Sequence, residues 1–356
     1  MKQSTSNQAL KTYQKSGGNF STISKLPLKK ESDLASYYFP GISAIVEKIQ
    51  KKPDVQSKYC SYHRTVGVIS TSDPYHYPVL TARAALLSHV TGANAIPLMI
   101  RYGKVKRLPD CIKAIASNFR ALYCTDLSTS EREIMAKAHD IGIPVLYQDQ
   151  MESAAIMASI LSASKMLKKS LKKIAITIEG SGPVVEGLIQ LLRYEKSDTL
   201  TILDERGPLY KRRPNMNHFK NSLVTLLGLN KDARTREQAL QQTDIYIFAQ
   251  EADLEKKTTE QLPDKAVIIT LKSLKVDKKP KQSLISTLPT LPNHLTDLHI
   301  TAGIIDALVE GKSFQPDTIH RAIKALSEVY KTPSTLKLMP GLLEKNLSKK
   351  IAKGIK

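Results

Sequence analysis

A glycine-rich turn with an acid roughly 20 residues further on has the residue types and spacing of a nucleotide-binding site. The turn, Gly180-Ser181-Gly182, follows a short apolar run and precedes apolar residues at helical spacing, and a second apolar run ends in Asp204-Glu205. A dinucleotide site needs glycines where the first strand turns towards the pyrophosphate. It also needs an acid at the end of the second strand to accept from the ribose hydroxyls. We therefore predict that residues 180–182 contact a pyrophosphate and that Asp204 and Glu205 contact a ribose.

Two details of this unit depart from the dinucleotide fingerprint. Val185 occupies the position of the third glycine, which lets helix and strand pack closely, and Pro183 stands at the start of the helix. Proline is accepted in the first turn of a helix, so Pro183 is compatible with nucleotide binding. It is equally compatible with the alternative, a plain crossover of strand, helix and strand closed by a glycine turn.

The composition is that of a folded protein with two domains. A chain of 356 residues, 41% hydrophobic and 24% charged, is too long for one small core. No apolar run approaches the length of about 20 residues that a membrane span needs, and the polar first 30 residues lack the apolar segment of a secretory signal. Cys60, Cys111 and Cys124 are an odd number without paired spacing, which fits a reducing cytosol. We predict a cytoplasmic protein with a disordered N-terminal extension, without disulfides or a zinc site.

The net charge of +20 raises the question of nucleic acid or an acidic membrane surface. The lysines are dispersed, with the densest groups at residues 168–173, 275–281 and 345–356, and aromatic residues that would stack on bases are not interleaved with them. The charge is therefore interpreted as solvated surface, which supports nucleic-acid binding poorly. A basic patch for an acidic protein partner stays open.

Alternation of short apolar runs with amphipathic segments predicts two α/β halves and a parallel sheet in the second. A basic amphipathic helix is expected at the end of the chain. We predict strands at residues 66–69, 95–101, 121–124, 144–147, 174–178, 200–203, 245–248 and 266–270, and helices at residues 42–49, 79–90, 108–117, 131–140, 153–167, 184–192, 301–309 and 316–330.

Six stretches of the chain match a known family in their order and spacing. They are Leu34 to Gly41, Gly92 to Pro97, Ile143 to Gln150, Gly180 to Gly182, Asp204 to Lys211, and Pro292-Asn293 through Ala302-Gly303. With these stretches the chain resembles the malic enzymes over residues 33–356. The resemblance implies oxidative decarboxylation of malate, a small dicarboxylate, to pyruvate with NAD or NADP and a divalent metal ion. It also implies a dimer or a larger homo-oligomer.

The resemblance implies a malic-enzyme-like N-terminal α/β domain and a Rossmann-like NAD(P)-binding domain with a parallel sheet. We expect a polar extension at residues 1–30, the N-terminal domain at 31–164 and the nucleotide domain at 165–302. Helices at 303–356 are expected to pack back on the N-terminal domain. Asp204 favours NAD over NADP, although nearby basic residues offer cations to a 2′-phosphate. These residues are Arg206, Lys211 and Arg212.

The catalytic pair implied by the resemblance is only half present. Tyr38 stands where the family has its tyrosine acid, and it serves equally well as an aromatic anchor for the segment before Pro40. The catalytic lysine falls on Arg83. Arginine keeps the positive charge, but a pKa above about 12 makes it almost useless as a base near neutral pH. Proton abstraction as the family performs it is therefore not expected of Arg83.

The metal site implied by the resemblance is also altered. The family's Glu-Asp pair reads Thr125-Asp126, the later aspartate is Asp149, and Gln148 stands where an acid supports the lysine. Two carboxylates completed by water would hold Mg²⁺ or Mn²⁺ weakly. Alternatively, Asp126 caps the helix that begins near Ser128 and Asp149 is a solvated loop acid.

Three further departures affect the substrate and cofactor. The glycine-rich loop before the lysine helix is shortened to Ser70 to Tyr77, and an Asn-Pro beside the cofactor is replaced by Leu271 to Leu274. The paired asparagines that hold the substrate read Thr296-Asp297, so Asn293 and Asp297 are the candidate substrate residues. A carboxylate at Asp297 would repel a malate dianion unless Arg83 or a metal ion offsets it.

Two hypotheses of different class follow from these residues. The first is a malic enzyme with a degraded site, in which Tyr38 acts as the acid and activity is weak or lost. The second is a catalytically inactive homologue, a pseudoenzyme, that keeps the fold as a nucleotide-binding or protein-interaction module. Binding of NAD, NADP and Mn²⁺, compared with NADH formation from malate, distinguishes them.

Overall fold

The computed structural model divides the chain into two compact units, Met1–Val145 and Leu146–Lys356. It describes residues 2–22, 25–26, 28–138, 141–197, 199–230, 234–250, 254–271, 281–287, 289, 291 and 293–355. Several residues named from the sequence lie outside these ranges. They are Asp140, Lys272 to Leu274, most of the basic group at 275–281, Pro292 and Lys356. The two-domain α/β class predicted from the sequence is confirmed.

The first unit is built on a four-stranded sheet in the order β2-β1-β3-β4. β1 is parallel to β2 and to β3 and buries all six of its residues. The unit boundary falls inside β4. The elements are α1 (Lys2–Ser16), α2 (Glu31–Tyr37), α3 (Gly41–Lys51), α4 (Gln56–Tyr59), β1 (Thr65–Ser70), α5 (Tyr77–Val90), β2 (Asn94–Met99), α6 (Leu108–Ala116), β3 (Ala121–Thr125), α7 (Thr129–Lys137) and β4 (Val145–Tyr147).

The second unit carries a six-stranded sheet in the order β10-β9-β8-β5-β6-β7. Neighbouring strands are parallel except β7, a two-residue strand antiparallel to β6. The elements are α8 (Gln148–Leu167), β5 (Ile176–Gly180), α9 (Pro183–Tyr194), β6 (Leu200–Asp204), β7 (Gly207–Pro208), α10 (His218–Leu227), α11 (Arg236–Gln241), β8 (Ile245–Ala249), α12 (Lys256–Glu260), β9 (Val267–Thr270), β10 (Ser283–Ser286), α13 (Leu298–Val309), α14 (Thr318–Ser327) and α15 (Leu347–Gly354).

The N-terminal extension departs from the prediction of disorder. Residues 2–16 form the helix α1, and those of its side chains that the structure describes are exposed. Its sequence includes Gln, Lys, Ala and Leu, which are good helix formers, and only Gly17-Gly18 ends the run. The prediction weighed the polar composition and undervalued this propensity. None of the described helices is long and apolar enough to cross a membrane.

Helix α8 places the division between the units earlier than the boundary predicted at 164/165. It begins at Gln148 rather than Ser153 and packs on α9, α13 and α14, all of the second unit. A Cβ at Gly187 of α9 would stand 2.7 Å from Ser153 Oγ, and that hydroxyl lies 2.8 Å from the Val184 carbonyl oxygen. Gly187 therefore allows close packing of α9 against the helix α8, while Val185 is buried in the core.

The C-terminal helices also belong to the second unit. α13 packs on α8, α14 and α15, and α14 packs on α8 as well. The additional prediction, that these helices pack back on the N-terminal domain, stays a prediction. At the contact between α13 and α15, Gly303 faces Ile351, which is fully buried.

We expect Gly303→Ala to destabilise the protein. A Cβ at this position would overlap the Ile351 side chain, and overpacking of this kind costs about 1–3 kcal/mol. The better helix propensity of alanine returns about 1 kcal/mol at most, so the free energy of unfolding should fall by about 1–2 kcal/mol. Urea unfolding followed by circular dichroism measures it. Gly341→Ala is the control, because a Cβ there meets open space. Equal stability of the two variants would contradict the close packing.

Candidate functional site

The glycine turn lies where the order of the strands reverses, between β5 and β8. Gly180 has φ +139° and Gly182 has φ +133°, a region that side chains other than glycine rarely adopt. A Cβ at Gly180 would stand 2.7 Å from the backbone carbon and oxygen of Ala249, whereas a Cβ at Gly182 would meet nothing within 4 Å. The first glycine thus allows two strands to approach, and the second leaves open space before the N-terminus of α9. This geometry fits the pyrophosphate of a dinucleotide.

A cavity of about 570 Å³ lies at the carboxyl ends of β5, β6 and β8. Ligands of open α/β sheets bind at this edge, beside the point where strand order reverses. The lining includes Glu179, Glu205, Arg236, Phe248, Gln250 and Lys257. Of the two acids predicted to contact a ribose, only Glu205 lines the cavity, and its side chain is exposed.

Glu179 is a buried carboxylate in the cavity that sequence reasoning missed. It accepts from Arg236 Nη2 at 2.8 and 3.1 Å, from the Tyr246 hydroxyl at 2.5 Å and from Gln250 Nε2 at 3.3 Å. Burial, and then the charge of Glu179, raise the pKa of Tyr246, so its hydroxyl keeps its proton and donates. An acid inside an apolar strand, directly before a glycine turn, was the available signal. Its partners are too far along the chain to be paired with it by spacing.

Asp204 ends β6 as predicted, but its carboxylate is held by two cations. Arg213 Nη2 donates to Oδ1 at 2.6 Å and Lys220 Nζ to Oδ2 at 2.7 Å, while the Arg206 backbone N–H donates to Oδ1 at 2.9 Å. Burial acts to raise the pKa of Asp204, but hydrogen bonds from Lys220 and Arg213 outweigh it and hold the pKa below 3.8. The residue is 6% exposed. Its geometry therefore counts against the predicted role as ribose acceptor.

Arg83, at the lysine position, is engaged in a structural hydrogen bond. Its Nη1 donates to the hydroxyl of the fully buried Tyr123 at 3.2 Å. Thr125, at the position of a metal ligand, is buried, and its hydroxyl lies 3.2 Å from the Ile69 carbonyl oxygen and 3.1 Å from Asp126 Oδ2. Both side chains thus have hydrogen-bond partners inside the first unit.

Asp126 does not cap α7, contrary to the alternative reading from the sequence. Ser128 is the N-cap residue, and Glu131 completes a capping box by accepting from the Ser128 backbone N–H at 2.6 Å. Asp126 is exposed, with φ +55°. Asp149 is not a loop acid either, because it lies half-buried in the first turn of α8.

The remaining ligand prediction concerns Mg²⁺ or Mn²⁺. Within the described ranges no group of three or more His, Cys, Asp or Glu side chains is placed to hold a metal ion. Asp126 belongs to the first unit and Asp149 to the second. The side chains present therefore do not fit the three-carboxylate cage of the family, and a weak site using these two acids stays a prediction. Tyr38, the predicted acid, follows α2 and is 72% exposed.

The side-chain amide of Asn293 forms its hydrogen bonds with backbone groups of the protein. Its Nδ2 donates to the Leu284 oxygen at 3.1 Å and the Thr335 oxygen at 2.9 Å, and its Oδ1 accepts from the Leu338 and Met339 backbone N–H groups at 2.8 and 3.3 Å. All four hydrogen-bonding positions of the amide are thus used. Asp297, the other candidate substrate residue, is the buried N-cap residue of α13 and accepts from the Thr296 hydroxyl at 3.2 Å.

Several curated proteins of similar sequence are malic enzymes. The bifunctional malic/malolactic enzyme of Bacillus subtilis is 22% identical over 254 residues, which cover 67% of this chain and 62% of that protein. The NAD-dependent malic enzyme of Geobacillus stearothermophilus is 23% identical over 244 residues, or 65% of this chain and 51% of that protein. The matches therefore span about half to three fifths of these relatives. No family model matches the chain.

Solved structures show the same fold over nearly the whole chain. The NAD-dependent malic enzyme of Thermotoga maritima superposes with a TM-score of 0.82 at 18% identity, covering 98% of each chain. The malic enzyme of Entamoeba histolytica gives a TM-score of 0.83 at 17% identity, covering 98% of this chain and 80% of that one.

The fold and the glycine turn define a two-domain α/β protein with a Rossmann-like second unit. The matched sequences and the shared fold make the assignment specific. The chain is similar in sequence to malic enzymes at 22–23% identity and has the fold of their solved structures.

We expect the stabilising contribution of Asp204 to depend on pH. Because its folded-state pKa is depressed below 3.8, the contribution is fully present above that value and is lost as pH falls through the folded-state pKa. Asp204→Asn leaves Arg213 buried beside a neutral group and should cost about 3–5 kcal/mol near pH 7. The difference in unfolding free energy from the wild type should shrink as the pH is lowered from 5 towards 3.

Chemical denaturation at a series of pH values measures this difference. Asp264→Asn is the matched control, because that carboxylate is exposed and its ion pair with Lys281 spans 3.9 Å. A cost for Asp204→Asn that stays constant down to pH 3 would show that the carboxylate is not charged and paired in the folded protein.

Proposed function

We propose that the chain binds a nicotinamide dinucleotide at the carboxyl edge of its six-stranded sheet and oxidatively decarboxylates malate to pyruvate, more slowly than its active relatives. The proposal that the chain binds a dinucleotide rests on one observation. Gly182 has a positive φ and faces open space at the point where strand order reverses. The substrate part comes from the family, whose matched members include NAD-dependent and NADP-dependent malic enzymes.

The family reaction sets demands on this chain's own residues. A base must take the malate hydroxyl proton, and an acid must protonate the enol that is left when carbon dioxide departs. The bound dinucleotide supplies the hydride acceptor. Arg83 stays charged and donates to Tyr123, so it would pair with a substrate carboxylate rather than remove a proton. Tyr38 is the proposed acid, and its exposed hydroxyl suits proton exchange with water.

Asn293 and Asp297 take positioning roles in this proposal. The amide of Asn293 ties residues 335–339 to β10, and Asp297 begins α13. They would shape the segment beside the cofactor without contacting malate. Because the described acids do not form a three-ligand cage, no step is assigned to a metal ion.

We expect Gly182→Ala to weaken binding of NAD⁺ and NADP⁺ by about tenfold or more, because the new methyl group would enter the space proposed for the pyrophosphate. Isothermal titration calorimetry measures it. Gly311→Ala is the matched control, since Gly311 also has a positive φ, +92°, and also faces open space, but lies at the end of α13. Equal affinity in both variants would remove the proposed pyrophosphate contact.

A second candidate function is a catalytically inactive homologue that binds a nucleotide or a protein. It is favoured by the structural hydrogen bonds of Arg83 to Tyr123 and of Thr125 to Ile69. Cofactor binding without NADH or NADPH formation from malate would support this candidate. Steady turnover would support the first.

We expect the double variant Arg83→Lys with Thr125→Glu not to restore robust turnover. The shortened connection from Ser70 to Tyr77 remains, and a glutamate at position 125 replaces a buried hydroxyl that is bonded to Ile69. Reduced nucleotide formed from malate with Mn²⁺ is followed at 340 nm, with the single variants as controls. Turnover close to that of an active relative would show that these two positions alone limit the reaction.

We also propose a cytoplasmic homo-oligomer. α2 and α3 bury none of their residues within the chain, and Phe39 and Val46 are exposed, as expected of surfaces that a second copy covers. An acidic protein partner for the basic surface stays a weaker proposal.

A further inference from the structure

The carboxylate of Asp204 has little capacity left for a ribose. An ionised carboxylate offers about four acceptor positions, and three are taken by Arg213 Nη2, the Arg206 backbone N–H and Lys220 Nζ. The bonds to Arg213 and Lys220 join opposite charges in a mostly buried setting, where such bonds are strong. Ribose hydroxyls are neutral donors, and about one acceptor position of Asp204 remains for them.

The two cations around Asp204 have different freedom. Arg213 is 8% exposed in its side chain, and its Nη1 also donates to the Gly207 and Pro208 carbonyl oxygens at 3.1 and 3.2 Å. It is therefore fixed in the turn after β6. Lys220, in the first turn of α10, is 22% exposed, and among the residues that the structure describes its Nζ bonds to Asp204 alone. Its remaining two hydrogens are available to a second anion.

The end of β6 is strongly cationic as a whole. Between residues 204 and 220 the sequence has five cations and two carboxylates. Arg206 follows Asp204 directly with an exposed side chain, and Lys211 and Arg212 are also exposed. The carboxylates are Asp204 and Glu205, and the cations are Arg206, Lys211, Arg212, Arg213 and Lys220. In a Rossmann-like unit the 2′ position of the adenosine ribose lies at the end of this strand.

We propose that the chain selects dinucleotides that carry a 2′-phosphate over those with a 2′-hydroxyl, with Lys220 and Arg206 as the specificity-determining residues. The proposal rests on the cofactor site of the proposed function and reverses the preference for NAD that Asp204 suggested in the sequence. Asp204 is then a positioning residue that holds Lys220 at the strand end. A 2′-phosphate carries nearly two negative charges. Lys220 and Arg206 would offset these charges, although the nearby carboxylate of Glu205 repels them.

Two pairs of ligands differ only in the 2′-phosphate and test the proposal by binding. They are adenosine 2′,5′-bisphosphate against 5′-AMP, and NADP⁺ against NAD⁺, each titrated by calorimetry into the full-length protein. We expect the 2′-phosphorylated member of each pair to bind about tenfold tighter or more. Equal affinity, or tighter binding of NAD⁺ and 5′-AMP, would overturn the inference and leave the dinucleotide site standing. If none of the four ligands binds, the cofactor site itself is wrong and the inference falls with it.

Single variants test which residues are responsible for the preference for a 2′-phosphate. Lys220→Gln and Arg206→Gln should each lower the affinity for adenosine 2′,5′-bisphosphate about tenfold while changing that for 5′-AMP less than about twofold. Lys349→Gln, an exposed lysine on α15, is the matched control and should change neither. Loss of affinity for both nucleotides in the Lys220 and Arg206 variants would mean that these residues do not read the 2′ position.

Asp204→Asn separates positioning from direct ribose contact. If Asp204 accepted from the ribose, this variant would weaken 5′-AMP. We expect 5′-AMP affinity to stay within about twofold and the 2′-phosphate preference to fall, because Lys220 is no longer held in place. Circular dichroism confirms folding. Should this variant fail to fold, the Lys220 and Arg206 variants carry the test alone.

Discussion

The close approach of β5 to β8 at Gly180 is the constraint on which the candidate site depends. The two strands are parallel, with Gly180 beside Ala249, and a Cβ on the glycine would stand 2.7 Å from the Ala249 backbone. Only glycine allows both this approach and the positive φ that directs the chain towards α9. Strand order reverses at the same place, so the loops on either side diverge and leave the cavity between them.

Two buried acids at the ends of neighbouring strands give this edge its electrostatic character. Glu179 of β5 is held by Arg236 and Asp204 of β6 by Arg213 and Lys220. Buried carboxylates are tolerated only when charges and hydrogen bonds compensate them. These partners hold both side chains in place, and of the two acids Glu179 lines the cavity. Because Asp204 is buried, the accessible charges after β6 are the carboxylate of Glu205 and the cations of Arg206, Lys211 and Arg212.

Local pattern revealed much of the fold and only part of the site. The predicted strands lie within two residues of the observed ends, because β-branched runs bounded by turns are local signals. The glycine turn was predictable because backbone geometry demands glycine there. The bonds of Glu179 to Arg236 and of Asp204 to Lys220 were not, since they join residues 57 and 16 positions apart without periodicity. The hydrogen bonds of Asn293 were not predictable for the same reason, because two of its four partners lie 45 and 46 residues further on.

The contrast between the two units has a physical basis. In the second unit Gly180 of the turn that would hold a cofactor is also required for packing, because a Cβ there would overlap the Ala249 backbone. In the first unit Arg83 hydrogen-bonds to Tyr123 and Thr125 to Ile69. A side chain with such a hydrogen bond contributes to the stability of the fold whether or not it takes part in catalysis. Close backbone packing therefore constrains Gly180 in the second unit, whereas hydrogen bonds hold Arg83 and Thr125 in the first.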